Sequence, residues 1–273
     1  MPPKRPKPKN AAKPAENEAE YFTSFHYHAC AHAFSGGFTR PFHELIDAQA
    51  SSSLPTIGGH GNAHVDCFRY REWISFKRGY SHVSGSHQTE DNSNNTLVNS
   101  TVEGLNILDI LTADRLVARL YSKHPYKARE GFVTMVGSKF ENLRIAGYPV
   151  HVELDTELFE GIRNYTEAQL AFKNNPAFRK IAQDPFDTGR HIDPPGPNGA
   201  FLCSIVKKID TDYPGVTRKG HSFHVHGFGT VFLGEVLIAH GQRTLNMMRL
   251  DLGSSNQGTG TVGAADVNGR HWP

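Results

Sequence analysis

Hydrophobic and polar residues alternate with a period of two along much of the chain, and that alternation predicts strands. Residues 21–34 read YFTSFHYHACAHAF. On a strand, Tyr27, Ala29, Ala31 and Ala33 fall on one face and His26, His28, Cys30 and His32 on the other. Ser35-Gly36-Gly37 predicts the end of that strand. Residues 39–61 read as loop, with a short helical turn in HELIDAQASSS. Residues 63–70 and 73–83 are rich in aromatic and β-branched side chains and predict two strands. The polar run 84–95 predicts a loop after the second of them.

The most regular stretch is 95–154. Leu116, Ala118 and Leu120 alternate with Arg115, Val117, Arg119 and Tyr121, the pattern of a half-buried strand. Val150, Val152 and Leu154 alternate with His151, Glu153 and Asp155. The stretch is also self-similar. Val65-Asp66-Cys67-Phe68-Arg69-Tyr70 matches Val102-Glu103-Gly104-Leu105-Asn106-Ile107 at an offset of 37, and Phe140-Glu141-Asn142-Leu143-Arg144-Ile145 at a further 38. Each copy is apolar, acidic, variable, apolar, polar, apolar, which suggests a stacked β-unit.

The period changes after Asp155. Residues 156–164 and 166–184 predict helices, with Thr166-x-x-Gln169 as a capping box and Pro176 opening a second helix after Asn175. The Pro-rich segment 193–198 closes them. Strands return at 200–209, 221–228, 230–240 and 244–252, and the Gly- and Ser-rich end, 253–273, reads as turns. The predicted fold is mainly β: a stacked-strand (β-solenoid-like) domain or a β-sandwich or barrel, spanning 21–273. One helical insertion lies at about 156–184, too short to hold a core of its own.

Composition narrows the function classes. With 38% hydrophobic residues, 26 Gly and 16 Pro in 273 residues, the chain is turn-rich but able to build a core. No window holds the roughly 18 apolar residues of a membrane helix. Residues 1–20 form a Pro- and Lys-rich arm predicted to be flexible. Its five cations (Lys4, Arg5, Lys7, Lys9, Lys13) against Glu16, Glu18 and Glu20 account for the whole net charge of +2, so the body is neutral. Nucleic-acid binding is therefore expected only through the arm. Cys30, Cys67 and Cys203 lack CxxC spacing and are odd in number, against a disulfide framework. The absence of an apolar N-terminal run points to the cytoplasm.

The phrases VEGLNILDILTADRLVA (102–118), FENLRIAGYPV (140–150) and GFGTVFLGEV (227–236) resemble those of the bacterial choice-of-anchor P proteins. The resemblance covers about half of the chain. It implies an all-β protein of the cell surface with no known chemistry and no catalytic residues to carry over. The helical insertion and the many histidines depart from that family.

Histidine is the chemical anomaly, with 16 in the chain. His26-x-His28 and His224-x-His226 both lie in strand-like contexts, where residues two apart point the same way. If the two strands are neighbours, four imidazoles converge on a divalent transition metal such as Zn, and Cys30 or His32 extends the site. Asp66, Glu103 or Asp114 is expected to supply a carboxylate ligand or a partner that orients a ligand from behind. The competing reading is a polar sheet face that needs no metal. GxSxG, P-loop and GxGxxG motifs are missing. The leading expectation is a non-catalytic structural or binding protein that self-associates into homo-oligomers. The alternative is a metal-binding protein or metalloenzyme built on the His-x-His pairs.

Overall fold

A computed structural model describes residues 24–126, 128–185, 195–196, 199–253 and 255–272. The basic arm 1–20 and most of the segment 193–198 lie outside the described residues. In chain order the first strands are β1 (Ser24–Arg40), β2 (Glu44–Gln49), β3 (Ser52–Ser53), β4 (Gly59–Tyr70), β5 (Ile74–Gln88), β6 (Ser93–Ile107) and β7 (Leu111–Pro125). Short strands come after them: β8 (Phe132–Thr134), β9 (Lys139–Glu141), β10 (Arg144–Ile145), β11 (Tyr148–Pro149) and β12 (His151–Leu154). Helices α1 (Thr156–Glu160), α2 (Tyr165–Asn174) and α3 (Pro176–Gln183) come next. The chain continues with β13 (Ala200–Ser204), β14 (Val206–Asp210), β15 (Val216–Lys219), β16 (Ser222–Val225), β17 (Gly229–Ala239), β18 (Gln242–Gly253) and β19 (Gln257–Trp272).

Two antiparallel sheets pack face to face. The first runs β15-β16-β17-β18-β19-β1-β2, with β13 beside β17 and β3 beside β1. The second runs β11-β10-β7-β6-β5-β4, with β8 and β9 also on β7. A separate ribbon pairs β12 with β14. Sequence neighbours pair antiparallel, which decides for a sandwich over a solenoid, and the described strands close no barrel. The alternation in β1 is as expected: Tyr27, Ala29, Ala31 and Ala33 are buried between the sheets.

A line of kinks crosses each sheet, and it explains the internal repeat. The third position of every copy has left-handed backbone: Cys67 (φ 53°), Gly104 (φ 64°) and Asn142 (φ 49°). The pairing registers place these three in one row across the second sheet, alternating with Lys77 and Asp114. The first sheet has the same device, where Gly234 (φ 60°), Met247, Gly263 (φ 64°) and Ala33 share a row. At the row the inward-facing parity flips. On β18, Leu245 before the row and Met247 in it point inward, then Met248, Leu250 and Leu252 beyond it. The core divides there into two clusters, one around Phe34, Leu105, Ile107 and Met248, the other around Ala31, Val98, Leu120 and Met247. The acidic position of each copy also has a cause. Asp66, Arg78, Glu103, Arg115 and Glu141 form a cross-strand row of alternating charge, with Arg78 3.1 Å from Asp66 and Arg115 3.7 Å from Glu103.

Five local expectations are corrected. Gly36-Gly37 do not end β1. They let it run close to β19, where a Cβ on Gly36 would sit 2.7 Å from the Thr259 carbonyl oxygen. The HELIDAQASSS segment forms β2 and β3 instead of a helical turn, because it pairs along β1. Most of the polar run 84–95 is ladder, with Gly85 opposite Thr96. The Gly- and Ser-rich end forms β19, a central strand between β1 and β18. The cap of α2 is Asn164, not Thr166: the Glu167 amide donates to Asn164 Oδ1 (2.7 Å), and Glu167 Oε2 accepts from the Arg163 amide (2.7 Å).

The helical insertion packs against the sandwich through aromatics. Tyr165, Phe172 and Phe178 place their rings 5.6, 5.6 and 5.7 Å from that of Phe201 on β13. Each such burial stabilises by about 1.5–3 kcal/mol. Arg243, 1% exposed, reaches from β18 to donate to the Ile162 carbonyl (2.8 Å), tying the end of the α1 turn to the sheet. Burial lowers this guanidinium to about 10, against the opposing pull of Cys203 and Glu167.

Candidate metal centre

β1 presents His28 and Cys30 on its outer face, two residues apart, as the alternation requires. β19 lies alongside with Asp266 directly opposite Cys30. One ligand atom from each of His28, Cys30 and Asp266 lies within 4.8 Å of the other two. His28 Nε2 is 3.7 Å from Asp266 Oδ1. Tetrahedral zinc, with bonds of about 2.0–2.3 Å, needs its ligand atoms about 3.3–3.6 Å apart. The three atoms, within 4.8 Å of one another, must draw closer to hold zinc, and the His28 side chain, 64% exposed, is free to rotate toward the other two.

Asp266 is held for such a role. Its Oδ2 accepts from Thr244 Oγ1 (2.5 Å) and from Gln242 Nε2 (3.0 Å), both on β18. Those bonds fix the carboxylate and leave Oδ1 directed at His28, as outer-shell partners do in metal sites. Burial raises the Cys30 thiol above its usual range, and the Asp266 charge adds to that. Without a cation Cys30 is therefore a neutral thiol. A metal ion reverses the balance by stabilising the thiolate, so binding releases a proton. Imidazole, thiolate and carboxylate together suit zinc, and three protein ligands leave the fourth tetrahedral position for water or a further ligand.

The remaining predicted ligands lie elsewhere. His26 shares the outer face of β1, with its Nε2 3.3 Å from Ser24 Oγ. His32 belongs to a different cluster: its Nε2 meets Ser35 Oγ (3.0 Å) and Thr261 Oγ1 (3.2 Å), and burial lowers its pKa. His224 is on β16, bonded through Nδ1 to Thr230 Oγ1 (3.2 Å), and His226 is exposed just beyond the strand. β17, β18 and β19 separate β16 from β1. Four strand spacings are about 19 Å, so the two His-x-His pairs do not converge. The expected carboxylates are also elsewhere. Asp66 and Glu103 stand in the charge row, and Asp114 accepts from Asn142 Nδ2 (2.7 Å).

Sequence reasoning missed Asp266, which reaches Cys30 only through the pairing of the first strand with the last. It also missed a buried charge cluster on the first sheet. Glu235, beside the Gly234 kink, accepts two bonds from Arg249, Nε to Oε2 (2.7 Å) and Nη2 to Oε1 (2.8 Å), and lies 3.4 Å from His221 Nε2. Burial works to raise the Glu235 carboxyl, but Arg249 and His221 outweigh it and the group titrates below its usual range. Arg249 also lies 3.6 Å over the Phe232 ring. Every group in this cluster has a partner, so it reads as a structural joint.

A family model described as a domain of unknown function (DUF8256) matches residues 25–189 and 163–239, well over half of the chain. The chain belongs to the DUF8256 family. The DUF8256 match covers β1 through β17 and so includes His28 and Cys30, while Asp266 lies beyond it. Membership carries no assigned activity or residue roles. No curated protein and no solved structure matches the chain. No described helix is long and apolar enough to cross a membrane.

Proposed function

We propose that this chain is a non-catalytic binding protein that takes a divalent transition metal, with Zn2+ the best match, at His28, Cys30 and Asp266. The carrying observation is the convergence of three ligand types within 4.8 Å, from two adjacent strands. The Thr244 and Gln242 bonds that orient Asp266 support it. The site lies on an open sheet face. Enzymes that use a metal to activate water place it in a cleft that excludes solvent, so binding is the better reading here. The resemblance to choice-of-anchor P proteins, which supplies no catalytic residues, accords with this.

Elemental analysis of untagged protein, followed by Co2+ substitution, tests the proposal. The expected results are stoichiometric metal and a thiolate-to-cobalt charge-transfer band that Cys30→Ser abolishes and Asp266→Asn weakens. Background metal together with no such band would sink the reading.

A second reading, self-association, is favoured by β4. This strand of 12 residues pairs only with β5 and leaves its other edge without a strand partner among the described residues. Long uncovered edges recruit strands from other molecules. Leu45, 79% exposed, and Ile57, 91% exposed, add apolar surface. Light scattering across a concentration series should show a dimer or larger species, and a strict monomer would remove this reading.

A further inference from the structure

The outer face of the second sheet, away from the metal site and independent of it, carries an open groove of about 540 Å³ across β5, β6, β7 and the turn before β9. Its floor is Thr101 and Val117, both buried. Arg115, Arg119, Lys139, Tyr80 and Asn99 stand around that floor, and no carboxylate lines the groove among the described residues. Glu103 and Glu141, just outside the groove, balance two of these three cations, so the charge left for an anion is that of Arg119.

The three cations are not equivalent. Arg115 is engaged, with Nη2 donating to the Tyr80 hydroxyl (2.9 Å) and Nε 3.7 Å from Glu103. Lys139 pairs with Glu141. Arg119 is exposed, and its guanidinium has no carboxylate partner among the described residues. Its backbone is clamped: the amide donates to Ser138 Oγ (3.0 Å), and the same hydroxyl donates to the Arg119 carbonyl (3.2 Å). Gly137, with φ 91°, forms the lip beside it, where a Cβ would come 3.2 Å from Arg119 Cδ. The sheet thus fixes where the Arg119 side chain leaves the backbone, while the guanidinium itself stays free to turn toward a ligand. Nearby polar groups retain capacity. The Tyr80 hydroxyl accepts from Arg115 and keeps its own hydrogen to donate. Asn99 gives an amide hydrogen to Thr101 Oγ1 (3.3 Å) and keeps its carbonyl.

We infer that this groove binds an acidic sugar chain, with a carboxylate or sulfate on Arg119 and sugar hydroxyls on Tyr80 and Asn99. Three strand spacings make the groove about 14 Å across, room for two or three sugar units. It is open, so a chain can pass through it. Its donors and acceptors suit hydroxyls: the Tyr80 hydroxyl and the Asn99 carbonyl face the groove, and the His82 imidazole on β5 adds a further polar ring.

Calorimetric titration of the full chain with a heparin-derived hexasaccharide tests this, with maltohexaose as the neutral control and a single-stranded oligonucleotide of equal charge as competitor. The hexasaccharide should bind and maltohexaose should not. Arg119→Gln should weaken binding about tenfold, the worth of one charge-assisted contact, with an unchanged unfolding midpoint because the side chain is exposed. Three results would each overturn the proposal. One is equal binding by Arg119→Gln, which would place the interaction on the basic arm. Another is displacement by the oligonucleotide at equal concentration, which would mark a nucleic-acid surface. The third is no binding of the hexasaccharide at millimolar concentration.

Discussion

Acid should destabilise this protein through a histidine that takes no part in the metal site. His124, on β7, is 5% exposed. Its ring packs 5.2 Å from Phe25 and 5.5 Å from His271. Its Nδ1 has no hydrogen-bond partner among the described residues. Burial, then the neighbouring His271, pushes its pKa from 6.5 down to about 4, and Glu130 pulls weakly the other way. A base whose pKa is depressed in the fold is held neutral there. Below pH 6.5 the unfolded chain takes up a proton that the folded chain refuses until about pH 4, so stability is full at neutral pH and falls across that window. Between pH 7 and pH 5 the loss from this one group is about 2 kcal/mol. Burial lowers His271 and His32 as well, so both add in the same direction. Urea unfolding of the parent and of His124→Leu at pH 7, 6 and 5 isolates the His124 share, because any uniform effect of the substitution cancels within each variant. The parent should lose about 2 kcal/mol more than the variant over that range. Parallel pH profiles would refute the reasoning.

The packing leads to three more expected outcomes. Glu235→Ala strands the Arg249 guanidinium and should cost about 3 kcal/mol in denaturant unfolding, while adding Arg249→Met should recover part of it. No recovery in the double variant would show that the two charges are not coupled. Gly234→Ala forces a side chain into left-handed backbone with its Cβ 2.8 Å from Ile205 Cγ1, and it should lower stability by about 1–2 kcal/mol or more. Asn164→Ala removes the cap of α2 and should cost about 1 kcal/mol, read as faster amide exchange in residues 165–168.

The alternation in residues 24–34 and 111–125 was legible because a strand with one buried face writes itself as a period of two. The helices were legible from Asn175-Pro176 and from the shift in period after Asp155. β19 was not. Its glycines give it poor strand propensity, yet its central place demands them: a Cβ on Gly258 would lie 2.4 Å from the Gly37 carbonyl oxygen. Two of the three residues of the candidate site could be read locally, since His28 and Cys30 share a strand face. Its third member could not, because Asp266 becomes a neighbour only when the last strand pairs with the first, and no local pattern encodes that pairing.

The kink rows have a consequence for how strands find their partners. In a plain strand, sliding by two residues keeps every side chain on its proper face, so the hydrophobic pattern alone does not forbid the error. Here such a slide would carry Gly104 or Gly263 out of its row and leave the parity change of one strand out of step with its neighbours. Apolar side chains between the old and new kink positions would then turn to solvent. The glycines and the Asn142 turn act as registration marks, and strands of 15 to 17 residues gain a single correct alignment where a uniform alternation would tolerate several.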